Sequence, residues 1–151
     1  MRLDWPDLLI ELPPEESEPL LAPWASKIEG RIAPIFLNKF GSWFLMRPAG
    51  HVEMLDVLSG EVSTVAPTHE AFKSMVNDRD WQERHLLSRL VFDLHDALKV
   101  PALNECYAIK PHPAVGGPNP ARGEPVQLDQ VMVISLRVWQ SICRQALGGP
   151  A

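Results

Sequence analysis

Five histidines (positions 51, 69, 85, 95 and 112) and two cysteines (Cys106 and Cys143) are the side chains of this chain best suited to metal binding or to base and nucleophile chemistry. Their spacing argues against a metal. No His-x-x-x-His, Cys-x-x-Cys or Glu-x-x-His pair occurs. His85 and His95 fall in a stretch of helical period, about 15 Å apart along the axis and roughly 80° apart around it, so they cannot share an ion. No metal and no cofactor is expected, and the histidines read as structural or surface residues.

A cysteine nucleophile needs a base within hydrogen-bond reach and a third group to orient that base. Cys106 precedes His112 by six residues, across a strand end, and prolines flank the histidine on both sides. That spacing does not demand contact. It leaves a small cytoplasmic hydrolase using Cys106 and His112 as an alternative reading. Cys143 lies on the apolar stripe of a helix and reads as a small core residue. Among the acids, Asp56 shares a strand face with Val52 and Met54. It is either a perturbed carboxylate or, more simply, the acceptor of an Asx turn over residues 56–60. Gly116-Gly117 offers an anion cradle, but no Gly-Lys-Ser/Thr follows it, so it is not a phosphate-binding P-loop.

Carrying those residues takes one domain, or a domain with an arm. The chain has 151 residues, 46% hydrophobic and 22% charged, which is ordinary globular composition and enough to bury a core. No apolar run reaches the roughly 20 residues of a membrane span, and two cysteines cannot make a disulfide scaffold. The opening residues lack the basic start and apolar stretch of a signal peptide, so a cytoplasmic site of action is expected. The net charge of −5 argues against a nucleic-acid binder held by phosphate contacts. All of that charge sits in residues 1–30, where seven acids oppose two bases. The simplest expectation is an acidic N-terminal segment (1–30) that is solvated, ahead of a single α+β domain (31–151). The functional alternative is an acidic surface that steers a basic partner.

The elements follow from period and turn chemistry. Leu20, Leu21, Trp24 and Ile28 make one apolar stripe of a short helix, with Pro23 as a disturbance. Residues 32–41 are apolar and lead into the core. A three-stranded meander is predicted at 42–47, 51–57 and 61–65, with turns at Pro48-Ala49-Gly50 and Ser59-Gly60. Thr68 caps a short helix through Phe72 and Met75. Asp80, with Glu83 three residues on as a capping box, starts a long helix over 81–99 that buries Leu87, Leu90, Val91, Leu94, Ala97 and Leu98. Strands are predicted at 106–110 and 131–134. Between them, residues 111–125 hold five prolines and three glycines, either an ordered interaction or packing loop or a flexible excursion. Ser135 caps a last helix over 136–147 with Trp139, Cys143 and Ala146 inward, stopped by Gly148-Gly149-Pro150. The fold class is α+β: a mostly antiparallel sheet built on the meander, packed by a long central helix and a C-terminal helix.

Several fragments together resemble one family. They are residues 36–44 (Phe-Leu-Asn-Lys-Phe-Gly-Ser-Trp-Phe), Leu55-Asp56 with Gly60-Glu61-Val62, Glu70-Ala71-Phe72, and Cys106-Tyr107 leading to Pro113-Ala114-Val115-Gly116-Gly117. Over about residues 30–147 this order is similar to the C-terminal domain of type VI secretion immunity proteins that neutralise DNase effectors. More distantly it is similar to the wider Smi/Knr-like immunity proteins. Asn119 and Asp129 correspond to the asparagine and acid that follow the double glycine in that family. The resemblance implies a non-enzymatic protein that binds a secreted, basic, nuclease-type toxin, with no direct contact to nucleic acid or membrane. The expected interface residues are Glu15, Glu16, Glu18, Trp43 and Asp56, with Gly116, Gly117 and Asn119 of the loop. A third reading is a homo-oligomeric structural module whose N-terminal segment pairs with a second copy.

Overall fold

The computed structural model describes residues 5–148. A single helical turn, α1 (Trp5–Leu8), runs into β1 (Leu9–Ile10), followed by α2 (Pro14–Leu21) and a tight turn at Ala22–Trp24. The three predicted strands of the meander are β3 (Trp43–Met46), β4 (Val52–Leu55) and β5 (Val62–Ala66), and the apolar segment before them adds a fourth, β2 (Ala33–Asn38), paired with β3. Then come α3 (His69–Met75), α4 (Arg79–Leu86), α5 (Ser88–Asp96), β6 (Glu105–Ile109), β7 (Val131–Ser135) and α6 (Leu136–Ala146). Strands β1 to β5 form one antiparallel sheet in chain order, and β6 pairs with β7 in a second. The α+β class and the antiparallel sheet are as the turn and period signals predict.

The strand sequence dictates how the sheet is covered. Trp43, Phe44 and Leu45 are all fully buried, a continuous apolar run that only a strand covered on both faces can carry. Alternation sends Phe44 to one side and Trp43 to the other. On the first side Phe44 meets Trp81 of α4 at 5.7 Å between ring centroids, and Phe36 meets Phe44 at 5.0 Å and Phe72 of α3 at 5.7 Å. On the second side the Trp43 indole donates to Gln140 of α6. The turn between β2 and β3 is closed by Asn38, whose Oδ1 accepts from the backbone N–H of Phe40 and Ser42, both at 3.0 Å. Gly41 is required there. Its φ is +90°, and a Cβ would lie 2.9 Å from Gln140 Nε2 and 3.1 Å from the Trp139 ring.

Three expectations are corrected. The long helix over 81–99 is two helices, because Leu87 adopts a left-handed conformation (φ 55°, ψ 46°) that ends α4 and begins α5. Glu83 does not reach back to its own helix start. Its carboxylate accepts from the backbone N–H of Arg89 (3.0 Å) and the hydroxyl of Ser88 (3.3 Å), so it caps the following helix. The cap of α4 is Asp78, which accepts from the N–H of Asp80. Leu98, placed on the buried stripe by its spacing, is 89% exposed at φ +63°. Its N–H donates to His95 O and that of Lys99 to Leu94 O, the paired bonds of a Schellman helix end.

The acidic N-terminal segment is not a solvated arm. Leu9 and Ile10 pair with Leu37 and Asn38 at the sheet edge. Leu21, Trp24 and Ile28 are buried in the same core as the meander, with Trp24 fully enclosed. Residue 30 therefore marks a change of charge, not a structural boundary. The stop at Gly148 has φ +84°, as predicted for a helix end, while Gly149 and Pro150 lie outside the described residues.

Candidate functional site

Two polar side chains of α6 hold the N-terminal segment in place. Gln140 is 1% exposed and serves three groups at once. Its Oε1 accepts from Trp24 Nε1 (2.9 Å) and Trp43 Nε1 (3.0 Å), and its Nε2 donates to Gly41 O (2.7 Å). The amide orientation is unambiguous, since a flip would set its NH2 against two indole N–H donors. One turn on, Arg144 donates from Nε to Pro23 O (2.8 Å) and from Nη2 to Ser26 Oγ (3.2 Å), with its guanidinium 5.7 Å from the Trp24 ring centroid.

Held this way, α2 and α6 form the two walls of an open groove of about 860 Å³. The N-terminal wall is Leu12, Glu15, Glu16, Pro19, Leu20 and Pro23. The opposite wall is Asn104, Ser135, Leu136, Arg137, Gln140 and Ser141. Glu15, Glu16 and Glu18 are exposed, on a helix whose first turn carries two of them where the helix dipole favours acids. Leu12 and Leu20 pack on the core yet stay half-exposed, which gives the groove an apolar surface between charged rims.

The other expected interface residues are elsewhere and are not assembled with this groove. Trp43 is 0% exposed and bonded to Gln140, so it is a core residue and cannot touch a partner. Asp56 forms the Asx turn: its Oδ1 accepts from Leu58 N (2.9 Å), and Gly60 N–H bonds its carbonyl at 2.7 Å. Asn119 is 4% exposed and caps a turn, with Oδ1 accepting from Ala121 N. Gly116 and Gly117 do not cradle an anion, because their N–H groups already donate to Pro113 O and His112 O. Gly117 is needed for packing, as a Cβ there would lie 1.7 Å from Pro111 O. The 111–125 loop is thus a built packing loop, folded in short turns at Pro113–Val115 and Pro120–Arg122.

The Cys106–His112 pair is not set up for nucleophilic catalysis. Cys106 is fully buried, and burial pushes its thiol pKa up, as it does for Cys143. His112 is 4% exposed and has both nitrogens engaged, Nε2 with Val57 O (2.9 Å) and Nδ1 accepting from Ala114 N–H (3.0 Å). That pattern fixes the neutral tautomer with the proton on Nε2, and burial holds its pKa below the usual histidine range. Among the described residues no cluster of three or more His, Cys, Asp or Glu side chains could hold a metal. No described helix is long and apolar enough to cross a membrane.

The groove's second wall was missed by sequence reasoning. A signal existed: Gln140 and Arg144 lie four residues apart on the stripe that also carries Leu136, Trp139 and Cys143, and polar groups on a buried stripe need partners.

No protein-family model and no curated protein matches this chain. Among solved structures it is similar to Atu4351 from Agrobacterium tumefaciens, with a TM-score of 0.56 and 15% identity over 91% of this chain. The chain spans 65% of that protein's length. At such identity the likeness shows a shared fold.

Proposed function

We propose that this is a non-enzymatic binding protein, resembling an immunity protein, that captures a basic, nuclease-type toxin through the acidic surface of its N-terminal segment. The observation that carries this reading is the rigid display of acid. Glu15, Glu16 and Glu18 project from a helix whose following turn is tied to α6 by Gln140 and Arg144. A fixed acidic wall speeds capture of a basic surface by steering, and loses less entropy on binding than a mobile tail. A nuclease carries the complementary charge, since its own substrate is polyanionic. The sequence resemblance over residues 30–147 supports the toxin as the partner class.

The test is affinity purification of the tagged chain from lysate of its source cell at two salt concentrations, beside a Glu15→Lys/Glu16→Lys/Glu18→Lys variant. One stoichiometric basic protein, weakened by salt and by the triple charge reversal, is the expected outcome. Capture of the same protein by both forms at equal rates would remove the acidic wall from the function.

A further inference from the structure

We propose that the groove between α2 and α6 is itself the docking site, and that its occupant is a short protein segment presenting a basic side chain flanked by apolar ones. The inference rests on the binding reading above and names the subsite within it. Three features define the occupant. First, the charges on the two walls are unspent: among the described residues neither Glu15, Glu16 nor Arg137 makes an ion pair. Second, Leu12 and Leu20 leave apolar surface between those charges that a bare ion or a nucleic acid would not cover. Third, the α2 wall has eight residues, about 12 Å of helix, which accommodates roughly four residues of extended chain.

Charge complementarity sets the orientation. A lysine or arginine of the incoming segment faces Glu15 and Glu16, its neighbouring apolar side chains cover Leu12 and Leu20, and Arg137 meets carbonyl or carboxylate oxygens from the other side. The floor does not have to move. Leu136 and Gln140 are 2% and 1% exposed and already bonded or packed in the core, so the site is preformed.

The test is amide NMR on the isotopically labelled full chain, titrated with a capped tetrapeptide of one arginine among leucines, and with its counterpart carrying glutamate for arginine. Shifts confined to residues 12–23 and 135–141, saturating in the millimolar range, are expected for the arginine peptide. The Glu15→Lys/Glu16→Lys variant should bind it about tenfold more weakly. Leu20→Glu should remove binding while shifts distant from the groove stay as in the unsubstituted chain. No shifts up to about 10 mM peptide, shifts on another face, or equal binding of the glutamate peptide would overturn the proposal. So would groove shifts that grow with protein concentration alone, which would make the occupant a second copy. A captured partner that depends on Glu15, Glu16 and Glu18 but is indifferent to Leu20→Glu would leave the acidic steering standing and refute the groove.

Discussion

Replacing Gln140 with methionine separates the polar cluster from packing, because methionine matches glutamine in length and nearly in volume while offering no strong hydrogen-bonding group. The change strands two indole donors, Trp24 Nε1 and Trp43 Nε1, and one acceptor, Gly41 O, all in fully buried surroundings. Each buried polar group left without a partner costs about 1–3 kcal/mol. The three together, allowing for some relaxation, give about 3–6 kcal/mol. That is a large share of the 5–15 kcal/mol that holds a typical domain. At roughly 2–4 °C per kcal/mol for a chain of this size, the midpoint should fall by on the order of 10–20 °C. The assay is urea and thermal unfolding followed by tryptophan fluorescence, with Gln145→Met as a control. Gln145 is exposed and bonds only Ser141 Oγ, so its replacement should stay within about 0.5 kcal/mol. Should Gln140→Met also cost less than about 1 kcal/mol, the indoles would have other partners and the stapling role of α6 would be wrong.

Other consequences are as direct. Leu98 occupies the helix-end position that favours glycine and is 89% exposed, so Leu98→Gly should raise stability by about 0.5–1 kcal/mol in thermal unfolding, since little packing is lost. Burial lowers the pKa of His112 and of His85. The unfolded chain therefore takes up these protons more readily than the folded one, and the histidine contribution to stability is full above the unfolded value near 6.5 and lost as pH falls below it. His112→Asn should flatten the dependence of the unfolding midpoint between pH 7.5 and 5, and an unchanged slope would contradict the assignment. Cys106 and Cys143 should resist iodoacetamide in the native protein and react only on unfolding, read as mass increments.

The contrast between what was and was not legible has physical causes. The meander was readable because each strand carries its own period and each turn its own residues: Gly50, Gly60 and the turn bond from Leu58 N–H to Asp56 act within five residues of where they sit. The break at Leu87 was hidden because leucine is a good helix former and nothing local opposes the helix. The one available hint was Glu83, which satisfies the N–H of Arg89 six residues away instead of its own first turn. The fate of Trp43 was partly legible, since an unbroken Trp-Phe-Leu-Met run signals a strand covered twice. The groove was not, because its walls are about 120 residues apart in sequence and meet through bonds such as Arg144 to Pro23.

That separation also sets a timetable for biosynthesis. The groove's first wall emerges from the ribosome well before the side chains that fasten it, Gln140 and Arg144, which follow 116 and 121 residues after their partners Trp24 and Pro23. Until then the Trp24 indole and the Pro23 carbonyl have no partner from α6. Local pairings of the meander can form during translation, but the acidic helix reaches its final seat only once α6 has been made. A ribosome paused before α6 has emerged would thus present a folded sheet whose groove is still unassembled.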